Sequence, residues 1–198
     1  MGSYRYMSSA NLKNLKTKQP FLTDMKVIQE RARSQIMSGA VTPDYKGDPE
    51  AAVAILNEAL ATEIVCNLRY TAHYFLAEGI EAESVKAEFK EHAEQELEHA
   101  HRIAERIKQL NGKPNFNPEG ILSRSHAQFE EGETLVEMIK ENLIAERIAI
   151  ETYREIVFYF GDNDSTSKRL MESILAQEEE HADDMADLLK NFKPAQSL

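Results

Sequence analysis

The sequence predicts an all-α fold, a four-helix bundle with one long crossover and a short additional helix at the N-terminal side. Three observations carry this. The 198 residues hold only six Pro and eight Gly, no Trp, and long runs of Ala, Glu, Leu, Ile and Lys, with no alternating Val/Thr/Ile stretch that reads as a strand. Four long segments repeat apolar residues at helical spacing. One six-residue stretch, Gln95-Glu96-Leu97-Glu98-His99-Ala100, returns as Gln177-Glu178-Glu179-Glu180-His181-Ala182, so the bundle consists of two related halves.

With 42% apolar residues, the chain has enough material for one full core and no room for a second domain. Residues 1–20 carry Arg5, Lys13, Lys16 and Lys18 without an acid or an apolar period, and read as a flexible basic tail. Residues 21–47 form an N-terminal helix and linker. From an N-cap at Thr23 to Gly39, Met25, Ile28, Ala32 and Ile36 share one face, which packs on the bundle or on a neighbour. Residues 48–198 are the bundle.

Its first helix opens at Asp48-Pro49-Glu50 (N-cap, N1 and first-turn acid) and runs to Gly79, with Val53, Leu56, Leu60, Glu63, Asn67, Tyr70 and Tyr74 inward. The second spans about Glu81 to Leu110 with Phe89, Ala93, Glu96, His99, Ile103 and Ile107 inward, and Asn111-Gly112 ends it. The third spans about Phe129 to Phe160, facing in with Leu135, Ile139, Leu143, Glu146, Ile150, Tyr153 and Val157. The fourth starts at an Asp164 cap and runs to about Phe192 with Leu170, Ile174, Glu178, His181, Met185 and Leu188 inward. Short links at Gly79-Ile80 and Gly161-Asp162-Asn163 make antiparallel pairs. The link 111–128, containing Pro114, Pro118 and Gly120, reaches about 60 Å when extended, against about 45 Å for a thirty-residue helix, so it can cross the whole bundle. A helical turn is expected within it near 126–132.

All four stripes are interrupted by acid at mid-length. A carboxylate inside an apolar stripe is costly unless paired or bound to metal. Glu63 precedes Glu96 by thirty-three residues and Glu146 precedes Glu178 by thirty-two, and each Glu-x-x-His places carboxylate and imidazole on one helical face. The set Glu63, Glu96, His99, Glu146, Glu178 and His181 thus offers four carboxylates and two imidazoles, matched in charge to two divalent ions. Mixed oxygen and nitrogen donors suit iron or manganese, with zinc as a competitor. Tyr70 and Tyr153 lie two turns beyond Glu63 and Glu146 and lean toward the site. His73, His92, His101 and His126 fall off this register and read as surface or packing residues. Glu98, Glu179 and Glu180 read as solvated, and Cys66, the single cysteine, as packing.

On these residues the chain resembles the ferritin-like superfamily, and within it the non-haem bacterioferritin-like and Dps-like proteins, over about residues 48 to 192. The resemblance implies two iron ions per subunit. Glu96 and Glu178 would bridge them, Glu63 and Glu146 would be terminal carboxylates, and His99 and His181 would each cap one metal. It gives Tyr70 a catalytic part in hydrogen bonding or one-electron transfer. Gln95 and Gln177 depart from the pattern, standing where bacterioferritins often have acids that orient the opposite histidine. Leu97 stands where haem-carrying relatives have methionine, so no haem is expected.

The function so implied is ferroxidase activity, Fe(II) oxidised by O2 or H2O2, with storage of the product in a cage. The competing reading is an uncaged di-metal redox enzyme, manganese catalase-like or oxygenase-like. Only Lys193 to Leu198 follow Phe192, and Pro194 opposes a fifth helix, so a homo-oligomer of twelve chains is expected rather than twenty-four. The formal charge of -11 argues against a body that grips nucleic acid and favours cations. No leader-like segment and no apolar run near eighteen residues stands out, which gives a cytoplasmic protein without a membrane partner as the expectation.

Overall fold

The computed structural model describes residues 23–192. The basic tail over 1–20 and the closing stretch with Pro194 lie outside the described residues. Within them the chain is all-helical: α1 (Met25–Arg33), α2 (Pro49–Leu76), α3 (Ala82–Gln109), a single turn α4 (Ile121–Arg124), α5 (Leu135–Phe160) and α6 (Ser165–Asn191), with a 3-10 turn at Ile36–Ser38. Helix α2 pairs with α3 and α5 with α6, and the pairs join along α2/α5 and α3/α6.

The caps explain most boundaries. Asp48 accepts from the Glu50 and Ala51 amides with Pro49 at the first helical position, as the sequence predicts. At the same open end of the α2/α3 hairpin, where α3 finishes, Asn111 takes the left-handed conformation at φ 63, its N–H donates to Lys108 O and the Gly112 N–H donates to Ile107 O. That is a Schellman closure. Gly112 must be glycine, because a Cβ there would lie 2.5 Å from the Val53 side chain.

Four boundaries differ from the sequence reading. Helix α1 is capped by Asp24, which accepts from the Lys26 amide, rather than by Thr23. It stops at Arg33 rather than near Gly39, because Ser34 is extended and Gln35 left-handed at φ 50. Helix α2 ends at Leu76, where Ala77 turns extended, short of Gly79. Helix α5 begins at Leu135 rather than Phe129, since Thr134 and Glu137 form a reciprocal capping box. The turn in the crossover is at 121–124, following left-handed Gly120, not at 126–132.

The predicted inward residues of α3 are all buried, while Val53, Asn67 and Tyr74 of α2 are only half-buried. Contrary to the sequence reading, α2 is long and apolar enough by length and composition to cross a membrane. Half of that stretch is buried inside the bundle, because α2 is covered by α3, α4 and α5.

Two apolar layers flank the site. One contains Leu56, Leu60, Ile103, Ile107, Ile156, Phe160, Met171 and Ile174, the other Val85, Phe89, Ile139 and Met185. Between them lies the level of Glu63, Glu96, Glu146 and Glu178. The crossover is pinned to α2 by polar contacts: the buried Arg69 donates to Gln128 O at 2.8 Å and His73 Nε2 donates to Glu130 O at 3.0 Å, while Arg69 also donates to Asn142 Oδ1 of α5 at 2.9 Å. At the opposite end, Asp164 caps α6 and accepts from Arg106, Ser167 and Tyr45, tying the linker before α2 to the α5/α6 corner.

Candidate metal centre

Each of the four long helices delivers its mid-length acid to the same level of the bundle. Glu63, Glu96, Glu146, Glu178, His99 and His181 are each no more than 1% exposed. Ligating atoms of Glu63, Glu96, His99 and Glu178 lie within 4.8 Å of one another, and so do those of Glu96, Glu146, Glu178 and His181. Glu96 and Glu178 belong to both groups. All six sequence-selected residues are therefore brought together, as two adjacent sets sharing two carboxylates.

The imidazoles face the acids through Nδ1. His99 Nδ1 is 2.9 Å from Glu178 Oε1 and 3.2 Å from Glu63 Oε2, and His181 Nδ1 is 3.3 Å from both Glu96 Oε1 and Glu178 Oε2. Their other nitrogens cross the bundle. His99 Nε2 donates to Gln177 Oε1 at 2.8 Å, and His181 Nε2 donates to Gln95 Oε1 at 2.7 Å. An amide oxygen is an acceptor, so each glutamine keeps a proton on Nε2 and leaves Nδ1 turned toward the acids. The two departures from the family pattern thus occupy the histidine-orienting positions with neutral groups.

The tyrosines cross as well. Tyr70 donates to Glu146 Oε1 at 2.5 Å, and Tyr153 donates to Glu63. Each tyrosine reaches the carboxylate of the other half, giving the centre an approximate two-fold arrangement. Both phenols are held well above their usual range, by burial first and then by the acids beside them, so they remain donors.

The electrostatics favour positive charge at this point. Burial, then the charge of Glu96, pushes Glu63 up to about 8. Burial and the charges of Glu96 and Glu178 drive Glu146 well above the carboxylate range. Burial acts the same way on Glu96, but hydrogen bonds with Glu63, His181 and His99 outweigh it and leave Glu96 below its ordinary value. Burial would lower both histidines, yet Glu178, Glu63 and Glu96 hold His99 far above its ordinary value, and Glu178 and Glu96 hold His181 up at about 11. Protons stand where positive charge is needed. Even so, among the described residues Glu96 Oε1, Glu146 Oε2, both Glu178 oxygens and His181 Nδ1 make no well-aligned hydrogen bond, despite the short separations between imidazoles and acids. Five orphaned acceptors or ligating atoms at one buried point suit bound divalent cations, which would satisfy them and displace the protons.

Among the other histidines, His73 is buried packing, His101 is exposed, and His126 anchors the crossover through its N–H to Thr62 Oγ1 at 3.0 Å. Glu98, Glu179 and Glu180 are exposed, and Cys66 is a buried free thiol. His92 is the residue the sequence reading undervalued. It is 2% exposed, stacks on His181 with ring centroids 4.1 Å apart, and its Nδ1 lies 3.2 Å from Tyr70 Oη. Its position one turn before Glu96 was a usable signal.

The model of the family described as Ferritin-like domain matches residues 53–195. Bacterioferritin BfrA of Mycobacterium tuberculosis is 31% identical over 139 residues, covering 70% of this chain and 82% of that protein. The dodecameric thioferritin of Bacteroides fragilis, a bacterioferritin-related protein, is 33% identical and superposes with a TM-score of 0.71, covering 74% of this chain and 88% of its own. Dps from Thermosynechococcus elongatus shares the fold, with a TM-score of 0.69 at 20% identity over 74% of this chain and 93% of its own.

Proposed function

The chain belongs to the ferritin-like family, and from that premise we propose that it is a ferroxidase that oxidises Fe(II) with O2 or H2O2 and stores the ferric product in a cage of twelve chains. The observation that carries the reading is the pair of buried ligand groups sharing Glu96 and Glu178. A shared pair of carboxylates supports a bridged arrangement, with Glu63 and His99 completing one metal position and Glu146 and His181 the other. Fe(II) is the substrate at both positions, and manganese or zinc are competitors for the same donors. Two ferrous ions supply two electrons, which reduce O2 with two protons to H2O2, or H2O2 with two protons to two waters. Hard carboxylate oxygens favour the ferric product.

The chain's own groups set the geometry. Gln177 and Gln95 aim the Nδ1 atoms of His99 and His181 inward. Tyr70 fixes Glu146 by a short hydrogen bond and is placed to donate a proton or an electron at the edge of the site, while Tyr153 does the equivalent for Glu63. The flanking apolar layers exclude water.

Assembly is supported by surface that a lone chain leaves open. No residue of α1 is buried, and Ile36, Met37, Phe75, Ile80 and Phe158 are each at least 74% exposed. The dodecameric state belongs to the Bacteroides fragilis relative, and its extension to this chain is part of the proposal. The test is Fe(II) oxidation under O2 and under H2O2 combined with native mass spectrometry. The expected result is turnover of two Fe(II) per chain with ferric iron retained by a species of twelve chains. Fe(II) turnover no faster than in protein-free buffer would overturn the ferroxidase, and a monomer at micromolar concentration or a species of twenty-four chains would overturn the assembly.

A further inference from the structure

A third cluster of ligating side chains stands one helical turn from the centre. Glu88 and His92 lie four residues apart on α3, and Asp184 lies three residues after His181 on α6, with ligating atoms all within 4.8 Å of one another. His92 Nε2 is 3.4 Å from Asp184 Oδ2 and 3.9 Å from Glu88 Oε2. An ion with bonds of about 2.1 Å holds neighbouring donors about 3.0 Å apart and opposite donors about 4.2 Å apart, so these separations fit one first-row cation.

The tautomer of His92 makes the cluster a site rather than a pair of surface acids. Tyr70 spends its single hydrogen on Glu146, so its oxygen faces His92 Nδ1, 3.2 Å away, as an acceptor. His92 must then carry its proton on Nδ1. On that tautomer its Nε2, 3.4 Å from Asp184 Oδ2 and 3.9 Å from Glu88 Oε2, faces two carboxylates with a lone pair. Three acceptors converge with no donor between them, on a ring that is 2% exposed. A cation at their centre resolves the conflict.

The repeat supplies an independent contrast. Counted at the spacing that relates Glu96 to Glu178, Glu88 and His92 correspond to Leu170 and Ile174, and Asp184 corresponds to Arg102. The mirror position is therefore apolar and cationic, with Arg102 donating to Ser173 Oγ. The trio breaks the two-fold arrangement of the centre and is no by-product of the duplication.

We infer that Glu88, His92 and Asp184 form a third metal site for a divalent transition cation, adjoining the His181 side of the centre. Two carboxylates and one imidazole leave the remaining positions to water, as suits a labile ion. The Glu88 and Asp184 side chains are 41% and 46% exposed, so the site opens to solvent at one side, while His92 stacks on His181 at the other. It is placed as a station for Fe(II) moving between solvent and the His181 position; that role rests on the ferroxidase reading, whereas the site itself does not.

The probe is Co(II) alone, titrated into metal-free full-length protein and followed by absorption and calorimetry, with anomalous diffraction from Co(II)-soaked wild-type crystals. Wild type is expected to bind three Co(II) per chain, with an anomalous peak among the three side chains. The double variant Glu88→Gln/Asp184→Asn is expected to bind two, having lost the weaker class. Equal stoichiometry in wild type and double variant, or a wild-type map without that peak, would overturn the third site. Glu96→Ala removes Co(II) from the central positions and leaves the peripheral peak. Full central occupancy in that variant would count against the di-metal reading and leave this site standing.

Discussion

His99 donates its Nε2 proton to Gln177 Oε1 at 2.8 Å across the α3/α6 face, and the partner repeat returns the contact from His181 to Gln95 at 2.7 Å. The two Q-E-x-E-H-A segments therefore orient each other. Replacing Gln177 with Ala frees the His99 ring to rotate and exchange tautomers. The expected result is metal affinity about 10- to 100-fold weaker at one of the two central positions, with the other retained, read by Co(II) or Fe(II) titration. Gln177→Glu, which keeps an acceptor, should restore binding. Unchanged affinity in Gln177→Ala would show that packing alone fixes the ring.

Glu96→Ala should abolish rapid Fe(II) oxidation, because Glu96 belongs to both ligand groups. The fold should persist. Metal-free, removing one of four crowded acids relieves their mutual repulsion but also takes a partner from His99 and His181, so helicity should survive with a lower melting temperature. Circular dichroism should show wild-type helicity while stopped-flow oxidation is lost.

The metal-free protein should lose stability as pH rises. Glu63 is raised in the folded state from 4.5 to about 8 and His181 from 6.5 to about 11, so for both the folded state binds the proton more tightly than the unfolded chain. The contribution of Glu63 is complete below about pH 4.5 and lost as pH climbs toward about 8, and that of His181 is complete below 6.5 and lost toward about 11. Glu96, which is lowered, acts oppositely but only in the acid range. Thermal melting of apo protein should fall between roughly pH 6 and pH 9. Metal binding should strengthen over the same interval and release protons, read as a dependence of calorimetric heat on buffer ionisation enthalpy.

Asp164→Ala should destabilise the chain by about 3–5 kcal/mol, since it leaves the Arg106 guanidinium buried without its acid and removes the α6 cap. Tyr45 would also lose its 2.7 Å contact to the α5/α6 corner. Denaturant unfolding measures the loss. Metal stoichiometry should be unchanged, because the Arg106 pair sits beyond the apolar layer of Leu60, Ile103 and Ile174.

Protein expressed with ample haem should show no Soret band in proportion to chain pairs. Leu97 is 43% exposed on the outer face of α3, and an isobutyl group has no lone pair for iron. Leu97→Met tests whether the thioether alone is missing.

The buried cluster of four acids and two histidines was legible because helical periodicity decides which side chains share a face, and two repeats put an acid in the middle of each apolar stripe. Asp48-Pro49 and Asp164 were legible for a local reason too, since a cap is a contact between a side chain and amides two or three residues away. The start of α5 reads too early from the sequence: Phe129 draws the helix upstream across Glu130-Glu131-Gly132-Glu133, whereas the Thr134-x-x-Glu137 box, itself a local signal, sets the boundary.

What the sequence by itself determined is the composition of the cluster: four acids, two histidines and two tyrosines, each assigned to the inner side of its helix by a period of 3.6, while Gln95 and Gln177 were marked only by the repeat and the family resemblance. Only the tertiary structure decided which meets which. Tyr70 reaches Glu146 rather than Glu63, Gln95 reaches His181 rather than His99, and His92 meets Asp184. Those pairings depend on the axial register of antiparallel helices. That register is set by the packing of the two apolar layers and the length of the crossover, and neither is written in the spacing of residues along one helix.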